Sequence, residues 1–184
     1  FGLKAMMKAL GATSGVIGIE DNKSDAVRVM RQMVADEPQL KVQALHTKYP
    51  QGAEKMLIKV TTGRKVPSGG LPMDVGVVNH NVGTAIAISD AIQDGRPLVD
   101  RVVTVTGRGI VRPSNLIFRI GTLVSDIIQY CGGMTPDARK LILGGPMMGM
   151  AQPSDDIPAI KGTSGILILN EEDVQLDEIR PCIK

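Results

Sequence analysis

Residues 15–45 read GVIGIEDNKSDAVRVMRQMVADEPQLKVQAL, and this stretch decides the fold of the first half of the chain. Its two ends, GVIGIE and LKVQAL, are short apolar-rich runs that predict two strands. Between them Val27, Met30 and Val34 recur at helical spacing, which predicts a helix with one apolar face. The order strand, helix, strand predicts parallel pairing, because the helix carries the chain back across the sheet.

The neighbouring sequence extends this pattern in both directions. Helices are predicted over residues 3–10, 52–62 and 81–94, and a third strand over residues 75–78. Strands that alternate with helices are typical of a parallel, doubly wound sheet. The first half of the chain is therefore predicted to be of the α/β class.

The alternation of predicted strands and helices ends near Pro97. Residues 102–106 and 115–120 predict two strands that pair as a hairpin around Arg108 and Gly109. A helix then begins near Thr122 and ends at Gly132, and residues 141–143 and 165–169 predict further strands. This order fits a small α+β module of the β-grasp type. The glycine-rich run at 144–149 is predicted to be a flexible loop.

Composition excludes several classes of function. Lys and Arg number 21 and Asp and Glu 19, so no basic surface argues for nucleic-acid binding. Aromatic residues make up 2% of the chain, too few for base stacking. No run reaches the roughly 18 apolar residues of a membrane span. The two cysteines, Cys131 and Cys182, cannot form a disulfide scaffold, which favours a reducing compartment.

The first candidate site follows the second predicted strand, in the segment YPQGAEK at residues 49–55. Gly52 lets a ligand approach the backbone, and the N–H groups at the start of the next helix favour an anion. Parallel sheets place ligands at the carboxyl ends of their strands. The candidate binding residues here are Gly52, Glu54 and Lys55. An ordinary strand–helix connection, with Glu54 facing the helix dipole, explains the same residues.

The second candidate site is the segment VNHNVGT at residues 78–84, where amide side chains interrupt an apolar run. Asn and Thr offer neutral donors and acceptors, which suit a heteroaromatic ring or a hydroxylated chain. The candidates are Asn79, Asn81, Val82 and Thr84. Capping of a helix by Asn81 is the alternative, and the sequence leaves both explanations open.

Other residues give weaker signals. The loop KVPSGGLP at residues 65–72 is predicted either to wall a ligand pocket or to be a surface connection. His46 is interpreted as structural, and Cys131 as a buried small hydrophobe. Cys182 is either an incidental thiol or the first cysteine of a C-x₂-C-x₂-C cluster motif. One cysteine cannot hold a cluster.

Six segments together resemble one family in their order along the chain. They are YPQGAEKMLIK, VPSGGLP, VGVVNHNVGTAIAI, VTVTGRGIVRP, LILGGPMMG and the terminal PCIK. This order resembles the RnfC family of the Rnf electron transport complex, over essentially the whole chain. That family is in turn similar to the NADH- and flavin-binding subunit of respiratory complex I.

The resemblance implies three segments. Residues 1–96 would be the later part of a Rossmann-like FMN- and NADH-binding domain, residues 97–170 an SLBB β-grasp domain, and residues 171–184 the start of a ferredoxin-like [4Fe–4S] segment. The family's glycine-rich nucleotide loop is not found here. The chain also begins at Phe1 within a helical pattern. We therefore expect a piece of a longer protein, inactive by itself.

The resemblance also implies an activity and its partners. The subunit would pass a hydride between NADH and FMN, and electrons would leave through [4Fe–4S] clusters. It would act with the other subunits of an ion-translocating complex, as a peripheral protein on the cytoplasmic side of the bacterial inner membrane. It would bind no nucleic acid and would not itself span the membrane.

The resemblance assigns roles to single residues as well. Gly52 would lie against the flavin, and Glu54 would place a carboxylate near flavin and nicotinamide. Asn81 and Thr84 would contact the FMN phosphate or ribityl chain, and Cys182 would be a cluster ligand. Ala53, His80 and Gly83 depart from the complex I relative, so the flavin contacts are expected to differ from those of that protein.

Two hypotheses of other classes stay open at this point. In the first, the β-grasp half is a non-catalytic module that binds a partner or a small ligand, and the Asn-rich junction only caps a helix. In the second, the chain is a quinone- or cobalamin-handling scaffold with its site at the loop of residues 144–149. Flavin binding that depends on Glu54 and Asn81 discriminates these hypotheses from electron transfer.

Overall fold

The computed structural model describes residues 1–146 and 148–174. The chain divides into two compact units, which separate between Pro97 and Leu98. The first unit is α/β with a parallel pair of strands, and the second contains a larger mixed sheet. The α/β class predicted from the sequence is confirmed. The roles assigned to the three predicted segments stay predictions.

The first unit is built around two parallel strands and four helices. Its elements are α1 Gly2–Leu10, β1 Gly15–Glu20, α2 Ser24–Met33, β2 Leu40–Leu45, α3 Glu54–Thr62 and α4 Val82–Gln93. The strands β1 and β2 pair in parallel from Gly15 opposite Leu40 to Glu20 opposite Leu45. Both strands run over the residues that the sequence predicts. Their shared direction brings the carboxyl ends of β1 and β2 to one edge of the sheet.

The prediction of a strand over residues 75–78 is wrong. Residues Pro72–Val75 instead form a 3-10 turn that ends at Gly76, whose φ of 66° is left-handed. The Arg64 guanidinium donates hydrogen bonds to the carbonyls of Val75, at 2.7 Å, and Gly76, at 3.3 Å. The Arg64 side chain thus occupies two carbonyls that would otherwise accept hydrogen bonds from a neighbouring strand. The apolar run by itself did not indicate that Arg64 would bind there.

The helices α1 and α4 meet at a glycine. Gly2 is buried, and a Cβ added to it would lie 1.8 Å from the backbone oxygen of Ala85. No real Cβ tolerates such a distance, so the contact requires glycine at this position. This close approach fixes α4 beside α1 and thereby places the amino end of α4 within the first unit.

The second unit has the order of a β-grasp module. Its elements are β3 Asp100–Thr106, β4 Ser114–Arg119, α5 Val124–Tyr130, β5 Ala138–Leu143, β6 Met150–Gln152 and β7 Gly165–Asn170. The sheet order is β4-β3-β7-β5-β6, with β3 and β7 parallel and the other pairs antiparallel. The predicted hairpin, the helix and the two later strands are confirmed.

The core of the second unit lies between its sheet and α5. In β3, Val103 and Val105 point inward and are fully buried, while Val102 and Thr104 point outward. The period of two follows from the alternation of side chains along a strand. Ile166 and Ile168 of β7 repeat this pattern, and Cys131 at the end of α5 is fully buried among the same side chains. The interpretation of Cys131 as a small hydrophobe is confirmed.

The glycine-rich run after β5 folds back closely on itself. The Gly149 amide donates to the Gly145 carbonyl at 2.8 Å, and a Cβ on Gly149 would lie 2.5 Å from that same oxygen. The chain then enters β6, which pairs with β5. The short strand β6 is an element that the sequence patterns did not predict.

Candidate functional site

The carboxyl ends of β1 and β2 carry a cluster of polar side chains. Asp21 follows β1, and His46 and Thr47 follow β2. One Asp21 carboxylate oxygen accepts hydrogen bonds from the Thr47 hydroxyl at 2.6 Å and from the Thr47 amide at 3.0 Å. The other oxygen lies 3.2 Å from Nδ1 of His46. The cluster therefore ties the exits of the two strands together.

These contacts change the acidity of Asp21. The Thr47 hydroxyl, the His46 ring and the Thr47 amide together lower the pKa of Asp21 from 3.8 to about 2. Each contact stabilises the ionised carboxylate more than the protonated acid. Asp21 therefore holds its negative charge far into the acidic range.

The segment that follows the cluster leads to α3 through two tight turns. The Gln51 amide donates to the Lys48 carbonyl at 2.8 Å, and the Ala53 amide donates to the Pro50 carbonyl at 2.8 Å. Gln51 is only 7% exposed, so this residue packs against the rest of the first unit. The segment is thus held at its start by Asp21 and near its end by Gln51.

The start of α3 is open to a ligand. A Cβ built on Gly52 would meet no atom within 4 Å, so the backbone faces open space there. Ala53 is the N-cap and offers no side-chain acceptor to the first amides of the helix. Glu54 and Lys55 are exposed, and the Lys55 ammonium donates to the Pro67 carbonyl at 3.1 Å. The last contact ties the loop of residues 65–72 to α3.

The start of α4 shows the capping contact that the sequence left open. The Asn81 side-chain oxygen accepts from the Gly83 amide at 2.8 Å, so Asn81 is the N-cap of α4. Val82 is 62% exposed and Thr84 is half-buried. Capping occupies one atom of Asn81 and leaves the other residues of this segment without a structural explanation.

A cleft of about 720 Å³ lies in the first unit. Its walls come from one face of α1, the start of β1, the second half of α3 and the segment before α4. Its lining is mixed, with apolar side chains from α1 and α3 and with polar ones that include Thr61, Arg64, Asn79 and His80. Of the seven predicted binding residues, Asn79 lines this cleft, while Gly52, Glu54, Lys55, Asn81, Val82 and Thr84 do not.

Two features were missed from the sequence. Asp21 and Thr47 were not proposed, although polar residues directly after two parallel strands are the signal by which they could have been found. The cleft was missed because its lining comes from four separate segments.

The described residues carry no metal centre. Within residues 1–146 and 148–174, no group of three or more His, Cys, Asp or Glu side chains could hold an ion. Cys182 lies outside the described residues, so its assignment as a cluster ligand stays a prediction. None of the helices in the described ranges has the length and hydropathy of a membrane span.

Comparison with protein families divides the chain in the same two parts. Residues 1–90 match the family described as the Nuo51 FMN-binding domain. Residues 102–151 match the family described as the SLBB domain. The first match contains the starts of α3 and α4, and the second contains most of β3 and all of β4, α5 and β5.

Curated relatives match the whole chain. It is 51% identical over 183 residues to the C subunit of the proton-translocating ferredoxin:NAD(+) oxidoreductase complex of Clostridium ljungdahlii, covering 100% of the chain and 40% of the relative. It is 48% identical over 182 residues to the C subunit of the Na(+)-translocating complex of Acetobacterium woodii, covering 99% and 41%. It thus spans about two fifths of the length of these relatives.

A solved structure with the same fold supports the architecture. The crystal structure of the NAD+-reducing [NiFe]-hydrogenase in the air-oxidized state matches 93% of the chain and 35% of its own chain, with a TM-score of 0.68. The sequence identity is 16%, so this likeness concerns the fold alone.

Proposed function

The chain is a homologue of the C subunits of ion-translocating ferredoxin:NAD(+) oxidoreductase complexes, and from that premise we propose that it is part of an electron-transfer subunit that binds FMN. The proposal rests on one observation above the others. The family described as the Nuo51 FMN-binding domain matches residues 1–90, which contain the starts of α3 and α4 with their candidate ligand groups.

The start of α3 fits an anionic, planar cofactor. Gly52 leaves open space above its backbone, and the first amides of α3 have no side-chain cap. Free amide donors and the positive end of a nine-residue helix favour a phosphate or an electron-rich ring edge. These are the groups that FMN presents.

The residues have separable tasks in this proposal. Gly52 admits the flavin to the backbone, and Glu54 sets a negative charge beside the flavin and nicotinamide. Asn81 and Thr84 bind the ribityl chain or the phosphate, with Asn79, Val82 and Lys55 as further contacts. FMN, when bound, accepts a hydride as a two-electron carrier and releases electrons singly, and the protein supplies orientation and charge.

The wider assignment follows from the relatives. Their names describe subunits of complexes that exchange electrons between ferredoxin and NAD(+) and translocate ions. We infer that this chain acts in such a complex with other subunits, uses NAD(H), and lies on the cytoplasmic face of the bacterial inner membrane. Cys182 would be the first cluster ligand of the [4Fe–4S] segment, which would begin at residue 171 and accept electrons from the flavin.

A second role is favoured for the second unit by its exposed apolar pair. Val102 and Ile117 face each other across β3 and β4 on the outer side of the sheet, and they are 63% and 75% exposed. Contiguous exposed apolar side chains mark protein interaction sites, and this pair would form the centre of such a patch. We infer that the SLBB unit binds a neighbouring subunit through this hairpin.

The experiment is an FMN titration of the intact subunit, followed by quenching of flavin fluorescence. Glu54→Gln and Asn81→Ser are the test variants, because serine keeps the capping oxygen of α4 while removing the amide. Asn115→Ser in the second unit is the matched control. We expect each test variant to raise the Kd about tenfold, which corresponds to about 1.4 kcal/mol. The control should bind like the wild type. Unchanged binding in both test variants, or no quenching by the wild type, contradicts the proposal.

A further inference from the structure

The exits of β1 and β2 carry a contact network that the proposed flavin site does not use. Asp21 is the last residue to extend the β ladder, since its amide donates to the Leu45 carbonyl at 2.8 Å. Its side chain then reaches across to the two residues that follow β2. The Asn22 amide adds a bond of 3.3 Å to the Thr47 hydroxyl.

We propose that Asp21 is a positioning residue that fixes the segment of residues 46–53 and thereby presents Gly52 and the first turn of α3 to the flavin. Asp21 itself touches no cofactor in this proposal. Its consequence for the cofactor rests on the proposed FMN function, whereas its hold on the segment does not.

Thr47 is the residue through which Asp21 holds the segment. It is bonded to Asp21 through both its amide and its hydroxyl, so the carboxylate fixes the backbone and the side chain of one residue together. Two such bonds to one ionised acceptor are of the stronger, charge-assisted kind. His46 is 76% exposed at its side chain, so its contact with Asp21 adds little to the hold.

The distance along the chain from this anchor to the candidate site is short. Only four residues separate Thr47 from Gly52, and the turn bonds of Gln51 and Ala53 transmit the position of one end to the other. Thr47, bonded to Asp21, and the buried Gln51 thus anchor the segment at two points. A binding segment that is ordered beforehand loses less entropy when the ligand binds. Loss of the Asp21 anchor should therefore weaken binding without removing any contact to the ligand.

The same sheet offers a matched control at its opposite edge. Glu37 precedes β2 and accepts hydrogen bonds from Lys4 and Gln39, so it resembles Asp21 in chemistry. Contacts with these two side chains lower the pKa of Glu37 as well, the Lys4 bond contributing most. Glu37 lies at the amino ends of the strands, away from the segment that leads to Gly52. A general loss of stability should affect both variants alike.

The experiment compares Asp21→Ala, Asp21→Asn and Glu37→Ala in the intact subunit. Amide hydrogen exchange of the flavin-free protein over residues 47–53 measures the hold of Asp21 directly, and an FMN titration measures its consequence. We expect Asp21→Ala to speed exchange in that segment and to raise the Kd for FMN about tenfold. Asp21→Asn keeps an oxygen that accepts both Thr47 bonds but loses the charge, so it should restore both readouts in part. Glu37→Ala should change neither.

Each other outcome has a distinct meaning. Unchanged exchange over residues 47–53 in Asp21→Ala overturns the inference, whatever FMN does. Faster exchange with an unchanged Kd overturns the link between the segment and the ligand. Equal weakening of FMN binding by Glu37→Ala shows a loss of stability rather than positioning, and it also overturns the inference. If the wild type binds no FMN, the proposed function fails, while the exchange result still decides whether Asp21 holds the segment.

Discussion

The two units of the chain are nearly equal in length but bury their side chains very differently. Among the described residues, five hydrophobic side chains are buried in the first unit and thirteen in the second. In the second unit a five-stranded sheet packs against a helix. The first unit has a two-stranded sheet, and its apolar helix α4 has no buried residue. The second unit is thus stabilised by its own core, and the candidate ligand groups lie in the unit with the smaller one.

This difference predicts which of the two units a bound ligand should stabilise more. A unit with few buried side chains gains proportionally more from a bound ligand, because binding adds its free energy to a small total. The first unit should therefore respond to FMN, and the second should not. Four changes test the contrast, beginning with the largest expected effect.

The largest effect is expected from the core of the second unit. Ile168→Ala removes a fully buried side chain, and such truncations cost about 2–5 kcal/mol of unfolding free energy. Denaturant unfolding should show this loss in the second unit alone, with FMN affinity unchanged. Ile160→Ala, at an exposed position, is the control. An equal loss of FMN binding in Ile168→Ala breaks the contrast between the units.

The next effect concerns the contact between α1 and α4. Gly2→Ala would push a Cβ against the Ala85 backbone oxygen, and such overpacking costs about 1–3 kcal/mol. We expect the first unit to lose this much stability and the second to lose none. Gly162→Ala is the control, since the atom nearest to its added Cβ is 4.0 Å away. Gly2→Ala with wild-type stability would show that the two helices are not held together here.

A smaller effect is expected at the N-cap of α4. Asn81→Ala removes the bond to the Gly83 amide and should cost about 1 kcal/mol of unfolding free energy in the first unit. Asn81→Ser keeps a capping oxygen and should restore most of that stability. Thermal unfolding of the two variants measures the difference. If serine restores stability but not FMN affinity, the amide has a role beyond capping.

The smallest effect is the acid sensitivity of the first unit. The folded pKa of Asp21 is lowered to about 2 from 3.8, so its ionised form stabilises the fold above pH 4. That contribution is lost as the pH falls from about 4 to about 2, because the unfolded chain takes up the proton first. Urea unfolding across this range should show a steeper loss for the wild type than for Asp21→Asn. Identical slopes would mean that Asp21 is not held by Thr47 in solution.

Much of the fold follows from local patterns in the sequence. Both β1 and β2 begin and end where their apolar runs do, because a short strand can be recognised from that pattern and from turn residues at its ends. The hairpin of β3 and β4 follows from alternation with a period of two. These elements can be recognised from the composition and spacing of their own residues.

The failures depend on contacts that the run itself does not show. The run at residues 75–78 has strand composition, but Arg64 takes its carbonyls and Pro72 begins a 3-10 turn. A strand needs a partner as well as a composition, and the partner cannot be seen in the run itself. The short strand β6 was missed for a related reason, since its three residues form a strand only by pairing with β5.

The candidate site was predicted in part. The start of α3 was found because glycine before a helix is visible in sequence, and the capping by Asn81 was one of two open explanations. Asp21 and Thr47 were missed because their pairing spans 26 positions and depends on the parallel register of β1 and β2. The SLBB and FMN-binding matches confirm the family resemblance, while the individual flavin contacts stay predictions.

The sharpest test of the proposed flavin site is an exchange footprint of FMN on the intact subunit. Amide hydrogen exchange is measured by mass spectrometry with and without saturating FMN. We expect slower exchange over residues 47–57 and 79–86 in the first unit, with no change in β3 and β4. Slower exchange confined to the second unit, or FMN binding that leaves both segments of the first unit unprotected, would contradict the assignment of the flavin to the first unit.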